Sequence, residues 1–377
     1  MPKSIYDTAV IGAGVAGVTV AKEMYSKKVD LILIDKSSYP ATGGSGAAGA
    51  FVAPKIGKGG DLQDITNSAF DYAFRYYKEN YSHLFRQTGI LRVPRDDKDL
   101  IKFDEYARHN YKKVKYLSNK DIQKMGFDIP YRGFFFPDAG DCDAPDICRA
   151  IAKGIPFLQS NINSIKRVGD MWLLEGSKSI MAKRVILATG YQNNLLPMEY
   201  MGIKGLWGSR GDYITTKDIP TTIHQKFTIS ATKDNRVFKM GATHIKSKNP
   251  CIVCDGNPLK ELESKTIDIL HQDIKPLRYY CGMRAGSRDF FPVVGKVVDT
   301  QSMLKEYPSI LKGYRCEPIY HKDIYIINGL GGRGFVLAPL MAKWLCEAVL
   351  EHKSIDERVN PDRLFWRWVR KQHNRYI

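Results

Sequence analysis

The sequence is short of acid, of cysteine and of long apolar runs. No stretch approaches the roughly 18 consecutive apolar residues that a membrane-spanning helix needs, so any membrane contact is expected to be peripheral. The stretch from Thr8 to Ala21 is broken by Gly12, Gly14 and Gly17 and leads straight into a second strand-like segment, unlike a cleavable leader. Seven cysteines in 377 residues is a sparse and odd count. It excludes a disulfide scaffold and points to a reducing compartment, the cytoplasm. Cys251 and Cys254 have the spacing of half a zinc site, but a second pair is missing and no metal is expected. Asp plus Glu number 40 against 57 Lys plus Arg, leaving a formal charge of +17. That surplus favours anionic partners: nucleic acid, an acidic membrane face or an acidic small molecule. What is present, 44% hydrophobic and 11% aromatic residues, suffices for a large core and excludes a disordered or low-complexity chain. The length suits two or three domains, or one large α/β enzyme with an inserted second domain.

Tyr6 to Ile11 reads as a buried strand. Gly12-Ala13-Gly14-Val15-Ala16-Gly17 follows, then a helix to about Ser26 and a second strand, Leu31 to Ile34, closed by Asp35 and Lys36. In such a unit Gly12 permits the tight turn, Gly14 lets the backbone approach a pyrophosphate, and Gly17 lets the helix pack on the strand. Val15 and Ala16 offer N–H groups at the helix start. Asp35, about 20 residues beyond the glycines, is placed to accept from ribose hydroxyls. Three further segments extend the pattern. Ala41 to Gly49, with Gly44, Ser45 and Gly46 at its centre, is too rich in small residues for a helix interior and reads as a backbone cradle. Arg184 to Gly190 reads as a buried strand ending in the small residues Ala188, Thr189 and Gly190. Ile324 to Ile327 reads as a last strand, followed by Gly329, Gly331, Gly332, Arg333, Gly334 and Phe335 and a helix from about Ala338 to Leu350.

Four glycine-bearing segments spread over most of the chain imply a cofactor domain assembled from separated pieces. This pattern resembles the D-amino-acid oxidase superfamily of FAD-dependent amine oxidoreductases. The resemblance implies noncovalent FAD on the residues just named, with the last glycine loop against the flavin ring. The expected fold is α/β plus α+β: a Rossmann-like FAD domain from residues 1–84, 138–202 and 319–377, and a mixed, largely antiparallel substrate domain from 85–137 and 203–318. Between them, Pro145 starts a helix, and Ile162 to Val168 with Met171 to Glu175 forms a hairpin turning at Gly169-Asp170. Phe70, Phe74, Tyr77 and Tyr81 recur at helical spacing, the mark of a core stripe.

The segment Gly282 to Gly295 resembles one that, in glycine oxidase and its relatives, carries an arginine pairing with the substrate carboxylate; the matching residue is Arg284. A guanidinium can clamp a carboxylate bidentately and so present the α-carbon for oxidation. Tyr213 is a candidate hydrogen-bonding group of the same pocket, with a core tyrosine as the alternative. No catalytic triad is recognisable and none is needed, because the cofactor accepts the hydride, bulk water can take the amine proton, and molecular oxygen is the expected final acceptor.

Gly332-Arg333-Gly334, Ser287-Arg288-Asp289, Ser209-Arg210-Gly211 and Ser45-Gly46 further resemble the oxidase domain of the bifunctional tRNA wobble-uridine modification enzymes. That likeness implies oxidation of a glycine-like arm on tRNA with release of glyoxylate. Starting at the glycine fingerprint, the chain is expected to lack the methyltransferase domain of those enzymes. Candidate tRNA contacts are Arg108, Lys112, Lys113, Lys115, Lys120 and Lys124, with Arg363, Arg367, Arg370, Lys371 and Arg375 near the C-terminus. The competing expectation is oxidation of a free small amine such as glycine, sarcosine, proline or a D-amino acid by the same Arg284.

Overall fold

The computed structural model describes residues 4–192, 194–246, 250 and 253–373. The apolar strand Ile5–Ile11 pairs in parallel with Leu31–Asp35 on one side and Ile180–Leu187 on the other. A parallel strand covered on both faces must be apolar throughout, which is why these segments show continuous runs rather than alternation. Phe157–Gln159 extends one edge of this sheet, and the hairpin Ile162–Val168 with Met171–Gly176 extends the other. The last strand, Tyr320–Asn328, pairs in parallel with Ile180–Leu187. Helices Val15–Ser26 and Gly334–Glu351 pack together beside it.

A second, nine-stranded sheet roofs one end of the first. Its spine is the antiparallel pair Lys204–Thr215 and Ile274–Gly286, in register from Lys204 opposite Gly286 to Thr215 opposite Ile274. Ile90–Arg92 with Thr222–His224 supplies a short parallel contact, so the roof is mixed and largely antiparallel. One boundary is corrected. Val293–Val298, expected in the roof, hydrogen-bonds antiparallel to Tyr320–Asn328 and so lies in the cofactor sheet. Its valines are buried, and Met303 and Ile310 after it pack into the same core, so the chain returns well before residue 319. A three-stranded sheet of Phe51–Val52, Phe85–Arg86 and Gly140–Cys142 joins the two layers.

The long helix starts at Gly334, earlier than the sequence suggests, and carries Pro339 within it. Proline cannot donate to the carbonyl four residues back. That carbonyl, on Phe335, instead accepts from the hydroxyl of Tyr77 at 3.0 Å. Tyr77 is fully buried in the helix Asp61–Asn80, with Phe70 beside it in the stripe expected from the spacing. Tyr77→Phe should therefore leave a buried carbonyl unpaired and cost about 1–3 kcal/mol, measured as a lower urea midpoint at unchanged slope. An unshifted midpoint would show that the carbonyl finds another donor.

Cys254 and Cys281 form a disulfide across 27 residues of sequence, while Cys142, Cys148, Cys316 and Cys346 are free. Cys251 lies outside the described residues. Among the described residues no helix is long and apolar enough to cross a membrane, and no cluster of potential metal ligands is present.

Candidate active site

A cleft of about 1390 Å³ runs between the two sheets. At its deep end the strand Ile5–Ile11 hands over to Gly12, whose φ of +104° favours glycine and whose Cβ, if present, would lie 2.4 Å from the Ala188 carbonyl oxygen. Gly17 packs so closely on this turn that a Cβ there would meet the Gly12 carbonyl oxygen at 1.7 Å. The turn aims the N-terminus of helix Val15–Ser26 at the cleft, where Gly14, as N-cap, supplies no side-chain cap. Gly334 begins the second long helix 3.1 Å (as a built Cβ) from the Val15 side chain, so two positive helix ends converge on one region. This is a donor-rich seat for a pyrophosphate.

Asp35 ends the second strand with its carboxylate held by two backbone donors, Ala13 N–H at 2.7 Å and Ser37 N–H at 2.9 Å. Each oxygen retains accepting capacity for a ribose hydroxyl. Lys36 beside it donates to Gln192 at 3.2 Å. Ser45 accepts from Val15 N–H at 2.9 Å, fastening the Gly44–Gly46 loop to the helix start. Gly44 in turn abuts the backbone of Met283, where a Cβ would sit 2.3 Å from the carbonyl oxygen. Ala188, Thr189 and Gly190 line the same wall, and Asn328 donates to the Gly190 carbonyl at 2.8 Å, tying the two strand ends together. Gly329, Gly331, Gly332, Arg333 and Phe335 complete the lining. The convergent helix ends, the ribose acid and the side-chain-free walls fit a dinucleotide with an attached ring system such as FAD. Gly17 and Gly46 do not line the cleft and act through backbone packing.

The roof side supplies charge. Arg284, on the strand Ile274–Gly286, lines the cleft and donates to the Thr243 carbonyl at 3.2 Å. Its guanidinium lies over Gly208 of the neighbouring strand, where even one Cβ would come within 2.3 Å of Nη1. Among the described residues no carboxylate pairs with it. Burial lowers its pKa, yet from a value so high that the cation persists at neutral pH. His244, also on the cleft wall, is held below the ordinary histidine range by burial and then by the Arg284 charge, so it is neutral at physiological pH.

Tyr213 is not part of this site. Trp207 and Arg210 of the strand Lys204–Thr215 line the cleft, but the strand shifts register between Asp212 and Tyr213, and Tyr213 does not reach the cleft. It is fully buried in the roof core and donates to Glu263 at 2.7 Å. Asp289 does not reach Arg284 either. It accepts from Ser287, Phe291 N–H and Arg363, holding the turn before Pro292.

Sequence reading missed several lining residues. Lys239 sits in a strand whose neighbours are buried, a local signal that was available. Arg92, His224 and Phe290 carried none, because distant segments bring them to the cleft. Of the basic residues proposed to face tRNA, Lys112 pairs with Asp71 and Arg363 with Asp289, so both serve the fold. Arg108, Lys113, Lys115, Lys120, Lys124, Arg367, Arg370 and Lys371 are exposed, and Arg375 lies outside the described residues.

A family model described as "DAO: FAD dependent oxidoreductase" matches residues 7–348. The tRNA 5-methylaminomethyl-2-thiouridine biosynthesis bifunctional protein MnmC of Marinobacter nauticus is 22% identical over 94% of this chain and 58% of its own length. The protein of the same name from Legionella pneumophila is 25% identical over 92% and 54%. The chain thus spans between half and two thirds of these curated relatives. Among solved structures, glycine oxidase from Geobacillus kaustophilus superposes with a TM-score of 0.75 at 16% identity, covering 94% of this chain and 96% of that one.

Proposed function

Since the chain belongs to the DAO family of FAD-dependent oxidoreductases, we propose that it oxidises the C–N bond of a glycine-like secondary amine, the carboxymethylaminomethyl group of wobble uridine in tRNA. FAD, when bound, supplies the two-electron acceptor for the hydride. We take it to be held noncovalently, because Cys281, the one cysteine among the described residues lining the cleft, has its sulfur bonded to Cys254. The observation that carries the reading is Arg284: a cation in a cleft wall, unmatched by any described carboxylate, asks for an anionic group on the substrate.

Arg284 holds the glycine carboxylate and so fixes the α-carbon with respect to the cofactor seat. His244, kept neutral, leaves the amine free of an added positive neighbour. Loss of hydride and proton from R–NH–CH2–COO⁻ gives the imine, and water cleaves it to the primary amine and glyoxylate. Oxygen serves as the final acceptor in this reading.

The tRNA assignment draws on the two curated relatives and on the exposed basic residues of 108–124 and the last helix. Phe290 adds to it. It is 77% exposed at the cleft mouth and held at φ +69°, a conformation unusual for an aromatic residue, where its ring can stack on a base. The resemblance to glycine oxidase supports the alternative, a free amino acid or small amine.

The two separate by anaerobic bleaching of the flavin. tRNA bearing carboxymethylaminomethyluridine should bleach the protein and release glyoxylate, whereas glycine, sarcosine, proline and D-alanine should not. Bleaching by a free amino acid alone would replace the RNA reading with catabolic amine oxidation.

A further inference from the structure

Ten basic side chains and two carboxylates line the cleft. Several of the ten are answered locally: Arg210 by Asp212, Lys239 by Asp141 and Lys58 by Glu105. Asp35 and Lys36 stand at the cofactor end. Arg95 pairs with Asp99, and Lys226 is exposed. The other four on the substrate side fall into two groups. One is Arg284 over Gly208, beside His244. The other gathers Arg333, Lys55 and Arg92 from three different segments.

Each member of the second group is held in place by something other than an acid of its own. Lys55 follows the short strand Phe51–Val52, and the fully buried Asn67 clamps its backbone, accepting from its N–H at 2.7 Å and donating to its carbonyl at 3.1 Å. Its ammonium has no partner among the described residues. Arg92 donates to Asp99 at 2.9 Å, but the same carboxylate also receives Arg95 and Tyr106, so one negative charge answers two guanidinium groups. Arg333 follows the last glycine turn and begins the long helix, and its guanidinium has no hydrogen-bond or acid partner among the described residues.

These charges lie close enough to repel. Arg333 lowers the Lys55 pKa behind burial, and Arg92 adds to burial in bringing Arg333 down to about 10. His224, whose ring opens onto the same cleft, has its pKa lowered by desolvation among the cleft walls and then by the Arg92, Arg333 and Arg95 charges. Arg284 registers none of them, being shifted by burial alone. Arg284 is fixed on the roof, over Gly208 and against Thr243, whereas Arg333 stands at the start of the long helix and Lys55 on the segment clamped by Asn67, so the cleft is positive at two places. Like charges gathered with Asp99 as their one acid are stabilised by a bound anion.

We propose that Arg333, Lys55 and Arg92 form a second anion subsite, and that the substrate carries two anionic groups: the carboxylate held by Arg284 and a second carboxylate or phosphate beyond the reacting nitrogen. This rests on the amine-oxidase reading given above and narrows its substrate class. It also moves Arg333 from the cofactor-binding set expected from sequence to the substrate side.

Binding to the FAD-loaded protein tests it without turnover. Thiodiacetate, a dianion that cannot be oxidised as an amine, and methylthioacetate, its monoanionic counterpart, are titrated against the flavin spectrum. Thiodiacetate should bind about 30-fold or more tightly. R333Q and K55Q should each shrink that margin several-fold, whereas R284A should weaken both ligands. Equal affinities in the unaltered protein would overturn the subsite, as would a margin that survives both substitutions or an R333Q protein that has lost its FAD. The source of the second anion follows from 5-carboxymethylaminomethyluridine as nucleoside and as 5′-monophosphate. A gain on adding the phosphate assigns the subsite to a nucleotide, and a gain confined to thiodiacetate assigns it to a small dicarboxylic amine. Failure of every carboxymethylamine to bleach the flavin, with the thiodiacetate margin intact, would remove the proposed reaction and leave the subsite standing.

Discussion

Replacing Arg284 by Ala is expected to lower kcat/KM for an N-carboxymethyl amine by about 100- to 10,000-fold with FAD still bound. Two charge-assisted hydrogen bonds from one guanidinium to a carboxylate are together worth about 3–6 kcal/mol, and each 1.4 kcal/mol is tenfold. The cofactor should remain because its seat is built from the Gly12 turn, Asp35 and the two helix ends, none of which hydrogen-bonds to Arg284. Arg284→Lys should recover only part of the loss, since an ammonium restores charge without the planar fork. The substitution also reaches His244, whose pKa is lowered by burial and then by Arg284. With Arg284→Ala that pKa should rise toward 6.5, so His244 begins to protonate at higher pH than in the unaltered protein. A pH titration of the histidine by NMR reads this directly. Unchanged kinetics in Arg284→Ala would remove the carboxylate clamp, and an unmoved His244 would separate the two side chains.

The parts of the site that sequence reveals are those whose requirement is local. Gly12 must be glycine because the very next strand end, at Ala188, leaves no room for a side chain, and Asp35 closes the strand paired beside it. Such positions imprint a spacing on the chain. Tyr213 had an equally suggestive neighbourhood, Arg210-Gly211-Asp212, but which face of a strand meets the cleft depends on what packs against the other face. There it was Phe238 and Glu263, far along the sequence. Arg92 and Lys55 were illegible as a pair for the same reason: one belongs to a short roof strand and the other to a loop clamped by Asn67, and only the closed cleft brings both to Arg333. Val293–Val298 failed differently. Its apolar pattern is right for a buried strand in either sheet, and its assignment follows from the partner strand Tyr320–Asn328 rather than from its own residues.

Asp141→Asn should be the most damaging single change away from the cleft floor. Asp141 is fully buried in the small sheet that joins the two layers, and it answers two cations at once. Arg86 reaches it with one nitrogen shared between both oxygens at 2.8 and 2.9 Å, and Lys239 comes from the roof strand Val237–Gly241 at 2.8 Å. The Lys239 ammonium, 3% exposed, also donates to the carbonyls of Gly49 at 3.2 Å and Cys142 at 2.5 Å, so it pins the roof to the end of the glycine cradle. Removing the carboxylate charge strands a buried ammonium whose remaining partners are neutral carbonyls. Loss of one member of a buried pair costs about 3–5 kcal/mol, a large fraction of the stability of an ordinary domain. Lys239→Met should cost less, because Asp141 keeps Arg86 and the thioether fills much of the stem's volume. The double variant Asp141→Asn, Lys239→Met should then be more stable than Asp141→Asn alone, an ordering that separates the stranded charge from lost packing. Urea unfolding of the three variants, with FAD retention measured alongside, gives the comparison. If Asp141→Asn unfolds within about 0.5 kcal/mol of the unaltered protein, the range of ordinary surface changes, the joint between the sheets is held by packing and the buried charges are incidental to it.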